Sequence, residues 1–233
     1  MTATYGVTIN GKHSFRDFGL VMTEKEIGAP EAQTKYVEVP GRNGAIDMTE
    51  VLTGNVRYKD RPIKCKFYTD RKAKDWSSFI SEIQNAFQGQ FCTLIFDDDA
   101  AFYWIGRVSV ELEISGRLAY IDLTATVDPY KYNITSSLDD WLWDPFDFDQ
   151  DVINQTADIP VDGDKDVYVV CSAKWTNPII ISDSAMTVTF EGQTFDVAVG
   201  SQVMYDAIFK PGENVMTFHG TGTISINYVG GSL

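Results

Sequence analysis

The residues in this chain best equipped for chemistry are its histidines, cysteines and carboxylates, and their spacing argues against most kinds of catalysis. His13 and His219 are the only histidines and lie at opposite ends of the sequence, so a Ser-His-Asp arrangement would have to be built on one of them alone. No GxSxG elbow, HExxH helix, GxxxxGK[ST] loop or strand-linked GxGxxG is present. Both histidines therefore read as ordinary surface or strand residues. Cys65, Cys92 and Cys171 are odd in number, widely spaced and lack a CxxC pair, which indicates neither a disulfide framework nor a zinc knuckle. Cys92 sits in an apolar stretch and reads, like Cys65, as a buried inert thiol.

Carboxylates are plentiful, so glycosidase chemistry and calcium have to be weighed. Asp97-Asp98-Asp99 stands between two apolar runs and reads as a hairpin tip, since a glycosidase needs two acids at a fixed separation and nothing here sets one. Asp147-x-Asp149-x-Asp151 and Asp162-x-Asp164-x-Asp166 offer alternating oxygen ligands. Both fail the calcium-loop pattern, with Val152 or Val167 where glycine belongs and Asp158 or Ala173 where glutamate belongs. No metal site, catalytic residue or cofactor is expected.

The elements that would position any site are mostly strands. Tyr36–Val39, Ile63–Tyr68 and Arg107–Ile114 alternate with the period of half-buried strands, punctuated by Asn10-Gly11, Gly54-Asn55 and Ser115-Gly116. One segment breaks the rule: Trp76, Phe79, Ile80, Ile83 and Phe87 fall on one helix face. Asp70 or Asp75 is expected to cap it and Gly89 to end it, with Ser78, Glu82, Gln84 and Asn85 facing outward. The second half shows strand-like runs at Val167–Cys171, Pro178–Ile181, Met186–Phe190, Thr194–Val199, Val215–Phe218 and Thr223–Val229. Asp162-Gly163, Glu191-Gly192 and Pro211-Gly212 read as turns around them, as in an antiparallel sandwich.

Charge divides the chain as well. Residues 1–135 carry 16 Lys+Arg against 18 Asp+Glu and the remainder 3 against 15, so the halves stand near −2 and −12. The break coincides with the run SSLDDWLWDPFDFDQD and places a boundary near Ser136: a domain over 1–135, an acidic aromatic linker over 136–150, and a second domain over 151–233. Such acidity disfavours nucleic-acid binding in the second half and suits solubility, linker extension or partner docking. The amino terminus does not read as a secretory signal and no run approaches a membrane span, so folding in a reducing cytoplasm is expected. Trp141, Trp143 and Trp175 suit either a sugar platform or a docking surface; Trp141 and Trp143, two apart in an extended segment, share a face, and docking is the preferred reading.

Four strings occur in order, YGVTINGKHSFRDFGL, VPGRNGAIDMTE, FDDDAAFYWIGRVSV and TVDPYKY, followed by Asn177-Pro178 and the closing PGENVMTFHGTGTISINYVGGSL. Together they resemble the distal tail protein (Dit) family of long-tailed bacteriophages over nearly the whole chain. The resemblance implies a mostly-β protein: an N-terminal sandwich or barrel-like domain with one helix that closes into a hexameric ring, and a galectin-like, jelly-roll C-terminal sandwich. It further implies a structural hub at the virion tail tip, assembled in the bacterial cytoplasm. Such a hub joins the tail tube to the tail-tip or tail-associated lysin protein, contacts tape measure and receptor-binding proteins, passes DNA in transit and inserts in no membrane. Carried over by position, Pro40, Gly41, Arg42, Gly44 and Asp47 match one signature, Gly106 and Arg107 a second, and Asp128, Pro129 and Tyr130 a third. All are ring-interface candidates and none is catalytic. Arg42 and Arg107 are fork-shaped donors suited to carboxylates, with Arg42 reaching either Asp47 or a neighbouring subunit. The competing readings are a carbohydrate-binding module that attaches to the host surface, resting on the tryptophans, and a glycoside hydrolase, resting on the carboxylates; neither accounts for the N-terminal strings.

Overall fold

A computed structural model describes residues 5–115, 118–138 and 156–233. Trp141, Trp143, Asp147-x-Asp149-x-Asp151 and most of the expected linker lie outside those residues. The chain is mostly β and divides into two compact units, Met1–Lys131 and Tyr132–Leu233.

In the first unit the strands are β1 (Val7–Ile9), β2 (Lys12–His13), β3 (Val21–Ile27), β4 (Tyr36–Glu38), β5 (Ala45–Asp47), β6 (Arg61–Thr69), β7 (Phe91–Phe96), β8 (Phe102–Ser115) and β9 (Leu118–Val127). Seven of them form an antiparallel sheet in the order β2-β1-β7-β8-β9-β6-β3, while β4 and β5 pair only with each other. Alternation decides the faces: in β6, Ile63, Cys65 and Phe67 are buried while Lys64 and Lys66 point outward. The inward set meets Phe79, Ile83 and Phe87 of helix α2 (Trp76–Phe87) in one core. The stripe expected from the sequence is thus the stripe observed. Asp75 occupies the N-cap position but its carboxylate makes no capping bond there. Gly89 follows the helix with φ +69°, the conformation that ends a helix at low cost for glycine. Gln84 departs from the expected outward face: its side-chain amide donates to the Val110 carbonyl at 3.1 Å, and the Gln88 side-chain oxygen accepts from Val110 N–H at 2.7 Å. Two glutamines thereby take the place of a strand partner along β8.

A short helix, α1 (Ser14–Phe18), was not legible from periodicity because it is little more than one turn. Its N-cap is His13, the last residue of β2, which is 5% exposed and so a buried strand residue, not a surface group. The ring Nδ1 accepts the N–H groups of Phe15 and Arg16, each at 3.1 Å, and Nε2 faces the Asp97 carboxylate at 3.0 Å. Because Nδ1 must accept, the proton sits on Nε2 and is donated to Asp97. Asp97 also accepts Gly6 N–H at 2.9 Å, so one carboxylate ties α1 to the strand before it.

The second unit holds β11 (Ile159–Cys171), β12 (Ile179–Ser182), β13 (Met186–Phe190), β14 (Gln193–Val197), β15 (Gly200–Val203) and β16 (Gly212–Asn227), with β10 (Lys131–Asn133) pairing the terminal β17 (Gly231–Ser232). The order is β14-β13-β16-β12-β15, with β11 also along β16. Val169, Ile180, Val188, Met216, Phe218 and Ile226 are fully buried in its core, closed by edge-on contacts from Phe190 to Phe209 and from Phe209 to Tyr228. Two expectations fail here for a common reason. The run at 215–218 and residues 223–227 of the next run belong to one strand, and Asp162-Gly163 is no turn but lies inside β11, where Gly163 faces Gly220. Two glycines inside β16 are packing sites: a Cβ on Gly220 would stand 2.7 Å from Met186 Cβ, and one on Gly222 would stand 1.9 Å from Ser184 Oγ. Long β16 can therefore bend past the β12–β13 connection while keeping its ladder with β11.

Candidate assembly site

The chemistry that the sequence made conceivable is spent on structure. Asp97, Asp98 and Asp99 form a turn of 3-10 helix between β7 and β8, and each is engaged: Asp97 by His13, Asp98 by Lys25, and Asp99 by Lys131 at 2.7 Å. Asp164 pairs with His219 Nδ1 at 2.7 Å, and Asp166 accepts from Thr217 at 2.6 Å, as cross-strand neighbours along β11 and β16. Burial pushes the Cys65 and Cys171 thiols up to about 12 and raises that of Cys92 as well, which leaves all three protonated and unreactive at neutral pH. Among the described residues no three His, Cys, Asp or Glu side chains cluster to hold a metal, and no helix is long and apolar enough to cross a membrane.

The first family signature lies on the β4–β5 hairpin, in the register Tyr36 to Asp47, Val37 to Ile46 and Glu38 to Ala45. Its tip turns at Pro40, with Gly41 at φ +86° and Gly44 at φ +75°, values that side chains disfavour. The Arg42 amide closes the turn onto Val39 O at 3.1 Å. An Arg42–Asp47 pair does not form: Asp47 accepts the Thr49 amide at 2.9 Å and its hydroxyl, which holds the carboxyl below its ordinary range. Arg42 makes no ion pair among the described residues. Tyr36, Val37 and Val39 are exposed along the hairpin, and beyond it Leu52 is 95% exposed.

The other two signatures converge. Gly106 lies in β8 where β9 passes so closely that a Cβ would stand 2.1 Å from Thr126 O. Arg107 donates to the Gly89 carbonyl, pinning the loop after α2, and does not meet a carboxylate. The Asp128 amide donates to Ile105 O at 3.0 Å, carrying the end of β9 alongside β8. Pro129 O accepts from Arg61 at 3.2 Å, and Tyr130 packs edge-on against Tyr58 at 6.0 Å. Arg61 is the residue that sequence reasoning missed. It is buried, its guanidinium covers the Trp104 ring at 4.6 Å, and burial lowers its pKa. An arginine opening an otherwise apolar alternation was the available signal. Between these elements runs an open groove of about 540 Å³, lined among others by Asp60, Phe91, Arg107, Ser109, Thr126 and Asp128.

In the second unit, Trp175 lies 5.8 Å from the Lys210 ammonium. Asn177 donates from its side-chain amide to Met204 O at 3.0 Å and Tyr205 O at 2.9 Å, fixing a loop from which the Tyr205 side chain projects into solvent.

The first unit is thus a β unit with small helices whose signature residues shape a hairpin and a groove. Residues 14–122 match the phage tail protein RIFT-related domain, so the first unit carries that domain. Over its full length the chain has the fold of the crystallised SPP1 Dit protein, which is described as a paradigm of the hub adsorption apparatus in phages that infect Gram-positive bacteria. The similarity has a TM-score of 0.63 at 14% identity and covers 98% of this chain and 99% of that one. No curated protein matches by sequence. The resemblance to distal tail proteins read from the ordered strings is thus borne out.

Proposed function

We propose that this chain is the distal tail hub of a long-tailed phage. Six copies close through their first units into a ring at the tail tip, joining the tail tube above to the tail-tip or tail-associated lysin protein below, with DNA passing through the centre. The observation that carries this reading is the likeness to a hub protein along nearly the full length of both chains, joined to the phage tail domain in the first unit. The role is structural and non-enzymatic. Tape measure and receptor-binding proteins are the further partners it implies, and the virion tail tip is its place after assembly in the bacterial cytoplasm.

The signature residues then act as ring elements. Arg42, exposed at a hairpin tip, is placed to reach a carboxylate of a neighbouring copy, and Arg107 holds the groove's loop. Arg42→Ala combined with Arg107→Ala is expected to weaken ring closure, read as a fall in mass by light scattering at low protein concentration. An unchanged hexamer would remove both arginines from the interface.

The second unit, galectin-like in the family's terms, serves as a docking platform for other tail proteins. Support comes from the side chains it turns outward, Tyr168, Tyr205 and Val199 among them. Clear binding of the 132–233 unit in a glycan array would favour direct saccharide attachment instead.

A further inference from the structure

Two features of the first unit lack an occupant, and each supplies what the other needs. The hairpin is a two-stranded ribbon bonded only to itself, with Tyr36, Val37 and Val39 exposed. Its tip, residues 39–44, carries a single charge, that of Arg42. The groove offers Phe91, 59% exposed, as an apolar wall, and the short side chains of Ser109, Thr124 and Thr126 as part of its lining, which leaves room for a ribbon to approach. It also contains two carboxylates, Asp60 and Asp128, and the one cation there, Arg107, is already committed to Gly89 O. Asp60 makes no ion pair among the described residues.

The segment bearing the hairpin is held at its base by a short ladder, Gln33 N–H to Arg57 O and Lys59 N–H to Glu31 O, each at 2.8 Å, with Asp60 the next residue. Hairpin base and groove are therefore neighbours in sequence. A ribbon seated in the groove of another copy would run beside the base of that copy's own hairpin. Donor and receiver surfaces differ, so the contact is head-to-tail and repeats from copy to copy, the kind that closes into rings.

Resting on the ring reading above, we propose that the β4–β5 hairpin of one copy seats in the Asp60–Phe91–Arg107 groove of the next, with Arg42 meeting Asp60. Tyr36 and Val39 cover Phe91, and the charge pair sets the register, the usual division of labour between apolar core and charged rim.

The test is charge exchange followed by sedimentation velocity in 0.1 M salt. Arg42→Glu and Asp60→Arg each place like charges together and are expected to weaken self-association by about tenfold or more. Both positions are exposed, so circular dichroism should match the wild type. Mixing the two variants, or combining them in one chain, restores opposite charges at every contact and should restore assembly. If the wild type forms rings and the single variants form them equally well, or if mixing fails to rescue, the groove assignment is overturned while the hub reading stands. A wild-type chain that stays monomeric to about 1 mM, both alone and with the tail tube protein, contradicts the hub reading and this contact together.

Discussion

The two units handle charge in opposite ways. In the first, carboxylates are met by lysines: Lys25 with Asp98, Lys59 with Glu31, Lys64 with Glu26, Lys66 with Glu113, and Lys131 with Asp99. In the second, Lys210 with Glu191 is the one lysine pair among the described residues, and other carboxylates turn to hydroxyls, backbone and imidazole. Asp166 takes Thr217, Asp164 takes His219, and Asp183 takes the Thr223 amide at 2.8 Å. A nearly neutral unit can pack copies of itself side by side without accumulating repulsion. A strongly acidic one remains soluble and selects partners of opposite charge. The difference teaches that nearly all of the −14 of the whole chain belongs to one unit, which is the contrast the proposed division between self-assembly and partner docking rests on.

The largest effect that would break this comparison is loss of one unit without the other. Phe218→Ala opens a cavity in the second core and should cost that unit roughly 3–5 kcal/mol. Calorimetry is expected to show one transition moved down and the other in place. A single transition moved as a whole would mean that the units do not unfold separately. Gly106→Ala forces a methyl group into the β9 backbone and should destabilise the first unit by roughly 1–3 kcal/mol, measured by denaturant midpoint. A neutral outcome would show that β8 and β9 can separate at no cost.

Acid provides a finer distinction. Asp183 is held below its ordinary carboxyl range, first by the Thr223 amide. With the folded value below the unfolded one, its contribution is present above the ordinary range and drains away as pH falls through the lowered value. Asp183→Asn should therefore lower the melting temperature of the second unit at neutral pH and flatten its decline below about pH 4. A decline as steep as that of the wild type would remove Asp183 from the account. Smallest is the response to salt. Raising ionic strength screens the lysine pairs of the first unit and the self-repulsion of the second, so the two transitions should move in opposite directions by less than about 1 kcal/mol each. A common direction would contradict the division of charge.

Legibility followed the same physics. Helix α2 was readable because five large side chains on one stripe admit one buried face, and Met186–Phe190 because strict alternation with bounding turns admits one strand. What escaped were the positions where a residue type serves a second purpose. Asp162-Gly163 resembles a turn in sequence, yet Gly163 lies inside β11 opposite Gly220. His13 resembles an idle surface group, yet it caps a helix too short to show a period. Arg61 resembles a solvated charge, yet it seats the corner at Pro129. Each depends on a partner far along the chain, which no local window contains. The spacing of the signatures alone could not show that residues of two of the three line one groove while the third stands apart on a hairpin.

The central claim, that this chain builds a ring at a phage tail tip, is tested most directly by negative-stain electron microscopy of the purified protein, alone and with the tail tube protein. The account predicts six-fold particles with a central hole. Single compact particles under both conditions would contradict it.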